Sequence, residues 1–190
     1  MSFKNIKLWA ALCSGLLLAS CASEPTPEVK RYLLDDESST RGGYVHFEVL
    51  LPGYLQQDKL VVKEQEQLHF AHYHRWAEPL EKGIARYLSQ YITIDANQSA
   101  AQVKVEVTKL HGSVTGQLFL SGRWQLTELK KNRQGDALTK TTSWRSFNYI
   151  LNQAQAGYPA MVTAIEQSLN ILAKDIEAEL KSSQVSTPTI

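Results

Sequence analysis

Gln102-Val103-Lys104-Val105-Glu106-Val107-Thr108 places valine at every second position with a polar side chain between. Side chains along a strand alternate between its two faces, so this stretch is a strand with one apolar and one wetted side. Gly112 to Gly116 follows as a glycine-bounded turn. Leu118, Leu120, Trp124 and Leu126 then resume the alternation against Ser121, Arg123, Gln125 and Thr127. Two alternating runs about such a turn predict a hairpin. Gly122 takes an inward position between Leu120 and Trp124, where it leaves room for the indole or for a close-packed helix. Lys130 to Asp136 is charged and predicts a second reversal. Ala137 to Ile150, rich in Thr, Trp, Phe and Tyr, predicts a third antiparallel strand.

Outward from this hairpin the periodicity changes. Arg31 to Leu34, Tyr44 to Leu51, Lys59 to Lys63 and Leu68 to Trp76 read as strands, separated by a polar loop ending in Gly42-Gly43 and by the Pro52-Gly53 turn. Leu80, Ile84, Leu88 and Tyr91 recur at helical spacing, which predicts a helix from Glu78 to Tyr91 with Pro79 in its first turn. Met161, Ile165, Leu169, Leu172, Ile176 and Leu180 step by three or four and predict a second helix from Pro159 to Lys181. Strands, helix, meandering strands and helix make an α+β fold, expected as an antiparallel sheet with two amphipathic helices packed on one face. No internal repeat is present.

The chain of 190 residues is 43% hydrophobic and 21% charged, enough to bury one core. Its side chains offer little catalytic equipment. His69, His72 and His74 cluster in sequence, but His69 has the opposite strand parity to the other two and no further ligand is evident, so no metal is expected. No serine sits in a Gly-x-Ser-x-Gly elbow, and neither glycine-rich segment ends in the Gly-Lys-Ser/Thr of a phosphate loop. Glu78 and Glu81 are accounted for by the positive end of a helix. Trp76, Trp124 and Trp144 are candidates to line a lipid or peptide groove, against the commoner use of tryptophan as core. No catalytic residue and no cofactor are expected.

At the N-terminus, Lys4 and Lys7 precede an apolar run from Leu8 to Leu18, and Ala19-Ser20 leads to Cys21. The run is shorter than the ~20 residues that span a membrane, and its flanks are those of an export signal. The small-residue exit into cysteine resembles the lipobox of bacterial lipoproteins. That resemblance implies removal of residues 1–20 and lipidation of Cys21, with a diacylglyceryl group and an N-acyl chain such as palmitate. Ala22 in place of Asp favours sorting to the outer membrane. Losing Lys4 and Lys7 leaves 18 basic residues against 19 acidic ones, a mature net charge of −1 that gives no reason to expect nucleic acid as a partner. Cys13 leaves with the signal and Cys21 is acylated, so no disulfide is expected. Residues 21–29 form a lipidated tether that reaches about 25–30 Å when extended, residues 30–181 form the domain, and residues 182–190 form a mobile tail.

Cys21, Arg31-Tyr32-Leu33-Leu34, Leu51-Pro52-Gly53-Tyr54-Leu55, Arg75-Trp76-Ala77-Glu78-Pro79-Leu80, Val105-Glu106-Val107, Ser121-Gly122-Arg123-Trp124 and the closing helix together resemble the ABC-type transport auxiliary lipoproteins, in particular the PqiC proteins. The resemblance implies a non-enzymatic domain on the periplasmic face of the outer membrane. It further implies partnership with a periplasm-spanning MCE-domain protein of the inner membrane, in a system that moves lipid and supports envelope integrity. A homo-oligomer would suit a symmetric partner. The alternatives are a lipid-binding carrier, a structural envelope lipoprotein without a transport role, and a periplasmic hydrolase or metalloprotein. Bound phospholipid would mark the first, an operon without permease and MCE genes the second, and activity or metal the third.

Overall fold

The computed structural model describes residues 27–34, 45–92, 101–131 and 137–185. The predicted signal segment, Cys21 and the first part of the predicted tether lie outside the described residues, as do residues 186–190.

Two long strands form the spine. β5 (Ala101–Ser113) and β6 (Gln117–Lys131) pair antiparallel through the predicted hairpin, with Val105 opposite Trp124 and Leu110 opposite Leu120. Gly116 makes the turn at φ 78°, a conformation that glycine adopts without a Cβ clash. Val103, Val105, Val107, Leu118, Leu120, Trp124 and Leu126 are all buried. The valine alternation therefore marks the core side of the sheet.

Shorter strands flank this spine. β1 (Lys30–Tyr32), β2 (Val45–Leu50), β3 (Lys59–Glu64) and β4 (Gln67–Trp76) lie on the β5 side, and β7 (Ala137–Thr141) and β8 (Arg145–Asn152) lie against β6. The eight strands form one sheet, and it is mixed. β2 and β3 both run parallel to β5, and β1 runs parallel to β4, whereas the sequence predicts an antiparallel sheet. Alternation reveals which face of a strand is buried and carries nothing about the direction of its neighbour. Parallel pairing needs a long crossover, and here β3, β4 and the first helix supply it between β2 and β5.

A second correction concerns Ala137 to Ile150, which is two strands with a break at Thr142–Trp144. The break has a cause. β8 pairs with β6 only over Gln117–Trp124, and β7 only over Thr127–Lys131. Thr142 fills the gap between them: its N–H donates to the Leu126 carbonyl (2.9 Å), its hydroxyl accepts from the Leu126 N–H (3.1 Å), and its carbonyl accepts from Gln125 Nε2 (2.8 Å).

β5 has the same problem on its outer edge, between the end of β2 and the start of the β3 pairing. Pro52 opens a 3₁₀ turn over Gly53–Leu55 that buries Leu55, and the Tyr54 hydroxyl accepts a hydrogen bond from the Leu110 N–H at 3.2 Å. The Leu51-Pro52-Gly53-Tyr54-Leu55 motif thus covers an edge that no strand covers.

The helices are α1 (Leu80–Tyr91) and α2 (Tyr158–Val185). Every residue of the predicted α2 stripe is buried to 3% exposure or less, and each such burial stabilises by about 1.5–3 kcal/mol. α2 runs four residues past the predicted end at Lys181, where an ion pair from Lys181 to Glu177 and a bond from the Ser182 hydroxyl to the Glu179 carbonyl hold the last turns. α1 packs on β2, α2 on β6 and β8, and the helices meet through the Tyr87 hydroxyl, 3.2 Å from both the Glu166 carbonyl and Asn170 Oδ1. Among the described residues no helix is long and apolar enough to cross a membrane.

Gly122 does face inward, but the ring it admits is Phe147, its partner on β8. A Cβ there would run into Phe147 Cζ and the Glu106 carbonyl oxygen. The neighbouring indole of Trp124 is not what requires the glycine.

Candidate functional site

The Arg31–Leu34 and Arg75–Leu80 motifs converge at one edge of the sheet. β1 joins β4 in parallel, with Lys30 beside His74, Arg31 beside Arg75 and Tyr32 beside Trp76. The Ala77 N–H donates to the Tyr32 carbonyl at 2.8 Å and carries the pairing one residue further. Next, Leu34 is buried and its carbonyl accepts from the Arg86 guanidinium at 2.7 Å. The same nitrogen of Arg86 lies 2.6 Å from Glu78 Oε1. Arg86 therefore ties α1 to the segment after β1, and Glu78, just before the helix, pairs with the same guanidinium.

On the core side of this junction, His74 stacks on Tyr158 at 4.0 Å between ring centroids and on Tyr32 at 5.8 Å, with Nδ1 2.7 Å from the Tyr32 hydroxyl. Burial, then the Lys30 ammonium, lower its pKa below the usual 6.5. On the other side, Arg75 pairs with Asp58 at 3.1 Å, and the Trp76 N–H donates to the Asp58 carbonyl at 2.7 Å. A groove of about 240 Å³ opens here, lined by Arg31, Gln56, Asp58, Trp76 and Glu78 among others. Its lining mixes the charged and amide groups of Arg31, Gln56, Asp58 and Glu78 with the apolar surfaces of Trp76, Ala77 and Pro79.

The sequence candidates are dispersed. Trp76 and Trp124 are buried at 5% and 2% exposure, on strands separated by β3 and β5. Trp144 is half-buried beneath the Arg123 guanidinium (4.5 Å), while Arg145 approaches Trp124 (5.8 Å). A cavity of about 10 Å³ beside Trp76 is room for a single water. His69 pairs with Glu64 at 3.5 Å, His72 is exposed, and His74 is held in the tyrosine stack. Among the described residues no three His, Cys, Asp or Glu side chains gather closely enough to hold a metal. Sequence reasoning missed the structural use of Tyr32, Tyr54 and Thr142. Only the Pro-Gly-Tyr turn gave a signal for one of them.

Residues 47–177 match the family described as the ABC-type transport auxiliary lipoprotein component. The chain belongs to that family. The match begins inside β2 and ends inside α2, so it spans the β5–β6 spine, both edge closures and most of α2 in this chain. A search of curated proteins finds no match. Among solved structures, a crystal structure of an uncharacterized protein is similar at 24% identity and a TM-score of 0.62, covering 81% of this chain and 99% of that one. Protein XCC0632 from Xanthomonas campestris is similar at 14% identity and a TM-score of 0.47, covering 84% and 97%. The first of these supports the fold of the auxiliary lipoprotein.

Proposed function

We propose that this auxiliary lipoprotein is a non-enzymatic docking component, held by lipidated Cys21 on the periplasmic face of the outer membrane. There it receives the distal end of a periplasm-spanning MCE-type conduit from the inner membrane and so supports lipid movement and envelope integrity. Membership of the transport auxiliary family is the observation that carries this reading. The neighbouring features agree with it. Acyl chains contribute about 0.8 kcal/mol per buried CH₂, and more than one chain gives stable anchoring. Confinement to the membrane raises the domain's effective concentration at any partner that reaches the same surface, so a weak contact suffices. A homo-oligomer would multiply that contact against a symmetric conduit.

A carrier would need space for acyl chains. The two cavities beside Trp76, of about 10 and 240 Å³, are smaller than the roughly 300–1,000 Å³ of ordinary ligand sites, so Trp76 does not line an acyl-chain site of that size. Crosslinking in intact cells, followed by identification of the captured protein, tests the proposal. Recovery of an MCE-domain protein is expected. Recovery of only peptidoglycan or porins would sink it.

A further inference from the structure

Seven large apolar side chains are exposed among the described residues, and three of them gather where the tether enters: Val29 (40%), Leu33 (50%) and Tyr73 (44%). The other four, Leu50, Val114, Ile150 and Ile171, sit on separate elements. Strand alternation places this group. Tyr32, His74 and Trp76 turn toward the core, so Arg31 and Arg75, which neighbour each other in the β1–β4 register, turn outward. Val29 and Leu33 flank Arg31 at two-residue spacing, and Tyr73 lies just before the β1–β4 register, exposed in the irregular stretch of β4 between Phe70 and Arg75. The result is an exposed sheet edge with apolar side chains interleaved with two guanidiniums. Arg75 is paired with Asp58, and Glu78, which lines the groove beside Arg31, is engaged by Arg86; Glu28 precedes Arg31 in the chain, and Arg31 has no ion pair among the described residues.

We propose that this outward side of β1 and β4 is the surface on which the domain rests against the phospholipid headgroups of its anchoring membrane. This deepens the docking reading and rests on its lipidated Cys21. Tether length argues for the membrane as the occupant. Eight residues separate Cys21 from Lys30, a reach of about 25–30 Å at most, and they enter the domain at the strand that bears the patch. The chemistry agrees: arginine keeps its head among phosphates while its stem covers apolar surface, and tyrosine favours the membrane–water boundary. The domain then lies with β1 and β4 toward the lipid, and the far end of the sheet at β7 is presented to the periplasm.

The test uses the lipidated mature protein reconstituted in phosphatidylethanolamine–phosphatidylglycerol vesicles carrying a headgroup nitroxide. Acylation blocks Cys21, so a single introduced cysteine takes the fluorophore. Gln57→Cys probes the exposed groove rim beside Arg31 without touching the patch, and Thr139→Cys probes β7. Quenching at position 57 is expected to exceed that at 139 by about twofold or more, and Arg31→Glu with Leu33→Ser to abolish the difference while the protein stays vesicle-bound. Both substituted residues are exposed, and circular dichroism confirms folding. Equal quenching at the two positions, with acylated Cys21 verified by mass spectrometry, would overturn the inference and leave the anchor intact. Shielding of position 57 in lipid-free detergent would overturn it in favour of a second copy. An unmodified Cys21 would overturn the anchor reading itself, and this inference with it.

Discussion

β5 and β6 both outrun their neighbours, and each has a gap in its outer edge that one residue closes. For β6, Thr142 does this from the adjoining β7–β8 link with three hydrogen bonds, two of them through its own backbone. For β5, Tyr54 does it with a single side-chain bond from a 3₁₀ turn 56 residues before Leu110. A backbone closure survives most side-chain changes. A hydroxyl at the end of a tyrosine depends on the turn that aims it. The β6 edge is therefore built locally, while the β5 edge holds the N-terminal half of the chain to the spine.

The largest expected effect comes from disturbing the β6 side where its packing is tightest. Gly122→Val forces a side chain into the Glu106 carbonyl and Phe147 ring and should cost about 3 kcal/mol, read as a fall in the urea midpoint. Adding Phe147→Leu should recover only part of that loss, because the carbonyl remains. Thr142→Val keeps the shape and both backbone bonds but leaves the Leu126 N–H without its acceptor, for about 1–2 kcal/mol. Tyr54→Phe removes the acceptor for Leu110 and should cost about 1 kcal/mol. Hydrogen exchange separates the two closures: Tyr54→Phe should speed exchange at Leu110 and leave Leu126 protected, and Thr142→Val the reverse.

The smallest effect is a pH dependence across the spine. His111 on β5 packs on Phe119 of β6 at 5.2 Å, and burial lowers its pKa below 6.5, the Gly112 carbonyl opposing this and Lys63 and Lys109 adding to it. A histidine whose pKa is lower folded than unfolded binds its proton first in the unfolded chain. Its contribution is complete above about pH 6.5 and is lost as the pH falls toward the folded value. His111→Gln should flatten that part of the stability profile. An unchanged acid slope would assign it to other groups, His74 first among them.

Much of this architecture was readable beforehand because burial leaves a periodic trace. The valines of β5 and the α2 stripe announced their buried faces, and the structure buries every one of them. What left no trace was pairing. Val45, Phe47 and Val49 reveal a strand, yet their parallel partner in β5 is fixed by a crossover of some fifty residues. The split at Thr142 was equally hidden, since Thr, Trp and Ser near it have ordinary strand preferences and the cause lies on β6. At the tether junction, Arg75 and Trp76 were visible as parts of a motif. That they stand beside Arg31 and Tyr32 became clear only from the β1 register.

The three-residue β1 also has a mechanical meaning. Tension reaching the domain through an N-terminal tether of the kind proposed would enter at Lys30 and run along the strand axis, loading the β1–β4 ladder and the Ala77–Tyr32 bond in shear, together instead of one after another. Behind them, the Arg86 grip on the Leu34 carbonyl acts as a backstop that shields the spine from strain. If the proposed anchor loads the chain from its N-terminal side, this short splice is the first part of the domain to bear the pull.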